Sequence, residues 1–141
     1  MFTVSIKGVL ATASGGIVLL MNERKEWELP GGRIEAGETP QECVRREIHE
    51  ELGLSVSVED LLDAYLFEVI PGKHVFIVSY ACTLEGRFDP RISHEHQRFG
   101  VFQPDALPPN LPDGYRSTIT RWQLRRSPEQ SLRLVPSPAN T

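Results

Sequence analysis

Apolar and polar positions change period several times along the chain. Val4 to Ala11 and Gly16 to Met21 are apolar runs of strand length, separated by the turn residues "TASGG". "EWEL", Glu26 to Leu29, alternates and stops at Pro30, where a Gly-rich loop, "PGGRIEAGE", carries the chain to Glu38. The clearest punctuation comes next. Thr39 suits an N-cap, Pro40 the first helical position, Glu42 completes a capping box, and Gly53 suits the residue after the last turn. Pro40 to Leu52 is therefore predicted as a helix. Val56 to Ile70 reads as a linking segment plus a strand, "PGK" as a turn, "HVFIVSYACTL" as a buried strand and Phe99 to Gln103 as another. Tyr115, Ile119 and Trp122 recur at helical spacing, so Tyr115 to Arg126 is predicted as an amphipathic helix. The remainder is rich in Pro and Ser. The expected division is one domain over 1–126 and a tail over 127–141.

The first helix carries an anomaly. At about 100° per residue, Val44, Ile48 and Leu52 define a core stripe, and Glu50, Glu47 and Glu51 follow at about 240°, 300° and 340° from Val44. A solvated acidic face would normally pair acid with base at i,i+4. Here Glu47 and Glu51 are themselves i,i+4, and Glu47 and Glu50 are i,i+3. Two partly buried carboxylates about 6 Å apart repel by roughly 3 kcal/mol at an effective dielectric near 20. A hard divalent cation removes that cost, and oxygen-only ligation points to Mg²⁺, with Mn²⁺ as the alternative.

Composition narrows the classes. The 141 residues carry a formal net charge of -4, and six of the acids lie between Glu35 and Glu51, so the acidity is local. That balance argues against a nucleic-acid polymer as partner. Cys43 and Cys82 match no zinc spacing and no disulfide framework, which points to a reducing, cytoplasmic setting. The "ATA" at Ala11 to Ala13 follows an apolar run interrupted by Lys7 and lacking a basic start, so no signal peptide is expected. The longest uncharged run, Gly8 to Asn22, has about fifteen residues against the roughly 20 that span a bilayer, so no membrane association is expected.

From Gly32 the chain reads Gly, five residues, Glu38, seven residues, then "REIHEELGL" to Leu54. This resembles the signature box of the Nudix hydrolases at every fixed position, with Ile48 and Leu54 in the aliphatic slots. The resemblance implies an α/β fold: a Nudix-type α/β/α sandwich with a mixed central sheet. It implies hydrolysis of the pyrophosphate bond of a nucleoside diphosphate linked to another moiety, with a small-molecule nucleotide as partner. It also implies metal ligation by the Gly32 carbonyl, Glu47, Glu50 and Glu51, with Arg46 and Glu38 orienting the glutamates. The stretch "SHEHQRFGVF", Ser93 to Phe102, is similar to the region from which family members take a general base. Glu95 is the candidate there, and Glu50 could serve as ligand and base together. His94 and His96 flank Glu95 and are read as substrate hydrogen-bonders or solvent contacts. Arg33 and Arg98 are candidates for substrate phosphates, while Tyr115, Trp122 and Cys82 are read as core.

A sensor domain of the same fold, binding without cleavage, is the alternative function, although such a domain would be expected to lose box glutamates. A relative that isomerises isoprenoid diphosphates is a further one, and it would need a thiol facing a carboxylate across the pocket. Pro71 lies roughly where ADP-ribose and sugar-nucleotide members place a proline, so such substrates are favoured, with a nucleoside triphosphate next. The apolar strands permit a homodimer.

Overall fold

The computed structural model describes residues 2–93, 96 and 98–126. The expected tail, 127–141, and the candidate base Glu95 with its neighbour His94 therefore lie outside the described residues.

Strands β1 (Thr3–Leu10), β4 (Gly31–Arg33), β5 (Ser55–Ile70) and β6 (Lys73–Glu85) form a sheet in the order β4-β1-β6-β5. β1 and β6 run parallel, from Thr3 opposite Val75 to Leu10 opposite Cys82, and the other pairings are antiparallel, so the sheet is mixed. Strands β2 (Ile17–Met21), β3 (Trp27–Glu28) and β7 (Arg98–Phe102) form a second, antiparallel sheet in the order β3-β2-β7. Helices α1 (Pro40–Leu52) and α2 (Asp113–Arg126) complete the domain.

Period-two alternation sends neighbouring strand residues to opposite faces. Ile6, Leu10, Val18 and Leu20 join Val44, Ile48 and Leu52 of α1 in one core. Val9, Ile17, Leu19 and Ile77 join Tyr115, Ile119 and Trp122 of α2 in the other. The sheets are thus sandwiched between one helix on each side. β2 is buried at every position because both of its faces are covered.

α1 begins and ends at the residues its caps predict. The Thr39 side chain accepts from the Glu42 N–H, the Glu42 carboxylate accepts from the Thr39 N–H, and Gly53 closes the helix in the left-handed conformation. Two other segments differ from expectation. The Gly-rich loop contains β4, which pairs Gly31, Gly32 and Arg33 with Lys7, Ile6 and Ser5. Ser55–Ile70 is one strand rather than a linker plus a strand, and irregularities between Val58 and Leu61, Leu61 and Asp63, and Glu68 and Ile70 break its alternation. No helix among the described residues is long and apolar enough to cross a membrane.

Candidate active site

The pairing of β4 with β1 brings the Gly-rich segment against α1, and the carboxylates meet it there. Glu51 accepts a hydrogen bond from the Gly31 N–H at 2.9 Å. Glu47 lies against Gly32 so closely that a Cβ there would fall 2.5 Å from the carboxylate carbon, so a larger residue would displace the carboxylate. Gly31 has φ +139°, and a Cβ on it would strike the Ile6 carbonyl oxygen.

The glutamates do not form one uniform stripe at the edge of the core. The Glu51 side chain is 5% exposed, that of Glu47 17% and that of Glu50 56%. Glu51 is buried because its place on the helix faces β4, where a backbone donor satisfies it.

Arg46 is the hub. Its Nε and Nη2 donate to the two oxygens of Glu38 at 3.0 and 2.8 Å, a bidentate pair. Nη1 donates to Glu47 at 3.0 Å and to both oxygens of Glu50 at 3.3 and 3.1 Å. Nη2 also reaches the Arg33 carbonyl at 3.3 Å. Glu38 is held in turn by the Glu35 N–H at 2.8 Å. One guanidinium thereby fixes residues from the loop and from α1.

On the far side of Glu51 lie Lys7 and Glu28, which sequence reasoning missed, and His96, which it named. Lys7 is 7% exposed in the middle of β1. Glu28 of β3 accepts from Asn22 Nδ2 at 3.3 Å and shares a hydrogen bond with His96 Nε2 at 3.2 Å. His96 Nε2 is also 3.9 Å from Glu51. With 9% of its side chain exposed, His96 is not the solvent contact that was one expectation for it. Lys7 did leave a signal, the only charge inside the apolar run of β1. Glu28 left none, because its burial depends on tertiary contacts of the short strand β3, which pairs Glu28 with Leu20.

The electrostatics divide along the same line. The Arg46 hydrogen bonds hold Glu38 down at about 2. Burial pushes Glu51 up to about 7, although Lys7 and the Gly31 N–H oppose it. Burial also raises Glu47. For Glu28, burial works against ionisation, but the charge of Lys7 and the bonds from His96 and Asn22 prevail and hold it at about 2. The hydrogen bond to Glu28 raises His96.

The remaining candidates take other places. The Arg98 guanidinium lies over the Trp27 ring, 5.2 Å from its centroid. The Arg33 side chain is exposed at the end of β4. Cys43 is buried, its thiol pushed up to about 12 by burial, and its Sγ donates to the Gly32 carbonyl at 3.5 Å. Cys82 is likewise buried and pushed up to about 12. Neither supplies a thiolate at neutral pH.

The donor set suits a hard cation: carboxylates and a backbone carbonyl, with no nitrogen or sulfur ligand required. Arg46 Nη1 already occupies the position where Glu47 and Glu50 converge, so a positive charge is accommodated between them. Among the described residues, no three such side chains yet close around one point, because Glu51 is turned to Gly31.

A mixed sheet between two helices, with a Gly-rich strand facing a helix of glutamates, defines the class of an α/β/α carboxylate-site protein. The chain belongs to the Nudix family: residues 1–122 match the model of the NUDIX domain. A Myxococcus xanthus protein named octanoyltransferase is 37% identical over 130 residues, 86% of this chain and 36% of that protein. This chain thus spans about a third of that relative's length. A MutT protein from Methanosarcina mazei shares the fold at a TM-score of 0.76 and 22% identity, over 89% of this chain and 96% of that one. The structure of a UDP-X diphosphatase matches at a TM-score of 0.72 and 27% identity, over 89% of this chain and 64% of that one.

Proposed function

We propose that the protein is a divalent-metal-dependent hydrolase of the pyrophosphate bond in a nucleoside diphosphate linked to another moiety. ADP-ribose or a nucleotide sugar is the favoured substrate class, with a nucleoside triphosphate next. The observation that carries this reading is the convergence of Glu47 and Glu50 on Arg46 Nη1, beside a Gly31–Gly32 segment shaped around Glu47 and Glu51. The likeness to a UDP-X diphosphatase supports a diphosphate substrate.

Glu47, Glu50, Glu51 and the Gly32 carbonyl would hold Mg²⁺, or Mn²⁺ in its place. When bound, the cation supplies charge neutralisation for the diphosphate and lowers the pKa of a coordinated water. The chain's own groups do the positioning. Arg46, clamped by Glu38, fixes Glu47 and Glu50 relative to the loop, and the Gly31 N–H fixes Glu51. Glu50 is the most exposed of the three and can accept a proton from an attacking water. Glu95, the other candidate base, enters from the sequence resemblance. Precise placement matters because phosphoryl transfer depends mainly on alignment and charge stabilisation.

The test is mononucleotide release from a panel of ADP-ribose, nucleotide sugars and nucleoside triphosphates, with Mg²⁺ and with chelator. The expected result is metal-dependent turnover of at least one compound, lost in Glu50→Gln. Tight binding without any product would instead assign a sensor.

A further inference from the structure

Among the described residues Lys7 is a buried ammonium that makes no hydrogen bond or ion pair, and its Nζ lies over the Tyr115 ring, 5.9 Å from the centroid. The carboxylate best placed to pair with it, Glu28, is engaged by Asn22 and His96. A buried charge without a partner is costly, and it persists where a ligand completes it.

Lys7 lines a cavity of about 120 Å³, with Arg24, Glu28, Phe67 and Tyr115 among its walls. The rest of the lining is mainly aliphatic, from Val69, Val75 and Ile77. A larger cavity of about 310 Å³ shares Phe67 and Val69 with it and continues along Leu111 and Pro112. Lys7 stands opposite Gly31 in the β1–β4 pairing, and the Gly31 N–H is bonded to Glu51, so the small cavity lies one strand pairing away from the carboxylates.

We propose that this cavity receives the nucleobase of the substrate, with the Lys7 ammonium donating to a carbonyl oxygen on the edge of the base. This rests on the reading of the substrate as a nucleotide. The walls favour a base over a phosphate. Phe67 and Tyr115 offer aromatic surface, the Arg24 guanidinium is engaged by Glu26 at 3.1 Å, and the Glu28 carboxylate would repel a second anion. The three N–H groups of Lys7 need acceptors, and a carbonyl oxygen supplies one. The exocyclic amino group of adenine at the same point would set donor against donor and leave Lys7 unpaired. The cavity therefore selects oxo-bases such as hypoxanthine, guanine or uracil. Among ADP-ribose, nucleotide sugars and triphosphates, it moves the preference away from adenine.

Inosine and adenosine 5′-monophosphates differ at the six-position and its ring neighbour. Calorimetric titration of the intact protein with each, in the presence of Mg²⁺, reads the preference without any turnover. Inosine monophosphate should bind at least about tenfold more tightly. Lys7→Met should abolish that difference by weakening the inosine compound alone. Equal binding of both by the unaltered protein would overturn the proposal, whether or not the variant folds. An equal loss for both in Lys7→Met would also overturn it, by assigning Lys7 to the phosphate. A clear preference without hydrolysis of any nucleotide would leave this proposal standing and remove the hydrolase reading. Hydrolysis without preference would do the reverse.

Discussion

Arg46 and Lys7 are cations on opposite sides of the glutamates, and they are used in opposite ways. Arg46 lies at the rim, 26% exposed, and donates to Glu38, Glu47 and Glu50. Lys7 lies inside, 7% exposed, near Glu28, Glu51 and Glu47 but bonded to none of them. The guanidinium is a fork with five donors and locks geometry. The ammonium is a point charge that helps keep Glu28 ionised while leaving its own donors free. Position is set on the Arg46 side, and charge balance on the Lys7 side.

Glu51 stands between the two and gives the largest expected effect. Glu51→Gln keeps an acceptor for the Gly31 N–H, so the fold should persist while hydrolysis falls by about 10³-fold. Steady-state kinetics alongside a melting curve check both halves. If activity survives, Glu51 is merely a buried acceptor.

The second prediction concerns pH. The folded-state pKa of Glu51 is raised to about 7 by burial, above its ordinary value, so the folded state binds its proton more tightly than the unfolded state. As pH rises from about 4.5 to 7, the unfolded state ionises first. The metal-free protein then loses stability through this group, on the order of 3 kcal/mol. Glu28 and Glu38, both held at about 2, act in the opposite sense: their stabilisation is present above about 4.5 and is lost as pH falls toward 2. Denaturant melts from pH 4.5 to 8 should show Glu51→Gln gaining on the parent with rising pH. A constant difference would remove the burial account.

On the Arg46 side, Arg46→Lys keeps the charge and removes the fork. Activity should fall by about tenfold with little change in melting temperature, because orientation of the glutamates is lost rather than charge. Full activity in Arg46→Lys would show that Arg46 acts by charge alone. The smallest effect belongs to an exposed pair on the same helix. Arg45 meets Glu85 at 3.3 Å with both side chains well solvated, and Arg45→Ala should change stability by no more than about 0.5 kcal/mol. A loss as large as that expected for the site would show that α1 depends on its outer face.

The Arg46 side was legible in the sequence and the Lys7 side was not. Local signals, the capping box and the i,i+3 and i,i+4 acids, delimit α1 and reveal the glutamate cluster before any tertiary contact is known. Arg46 and Glu38 came from the family box, and the two are in bidentate contact. Lys7, Glu28 and His96 come from a strand of one sheet, a strand of the other and a distant loop position, and only tertiary packing brings them together. β4 was hidden for a related reason: a three-residue strand of Gly, Gly and Arg has no periodicity, and pairing with β1 alone makes it a strand. Glu51 shows the same limit inside a well-predicted helix, since the backbone donor that satisfies it in its buried position comes from β4.

The central claim is that the glutamates of α1 form a divalent-cation site. Titration of the intact protein with Mn²⁺, followed by the electron paramagnetic resonance signal of free Mn²⁺, tests it without reference to any substrate. The account predicts that the protein removes free Mn²⁺ from solution, that Mg²⁺ competes, and that Glu47→Gln and Glu51→Gln weaken the binding by at least about tenfold each. Uptake of Mn²⁺ that is unchanged in both variants, or no uptake at all, would contradict it.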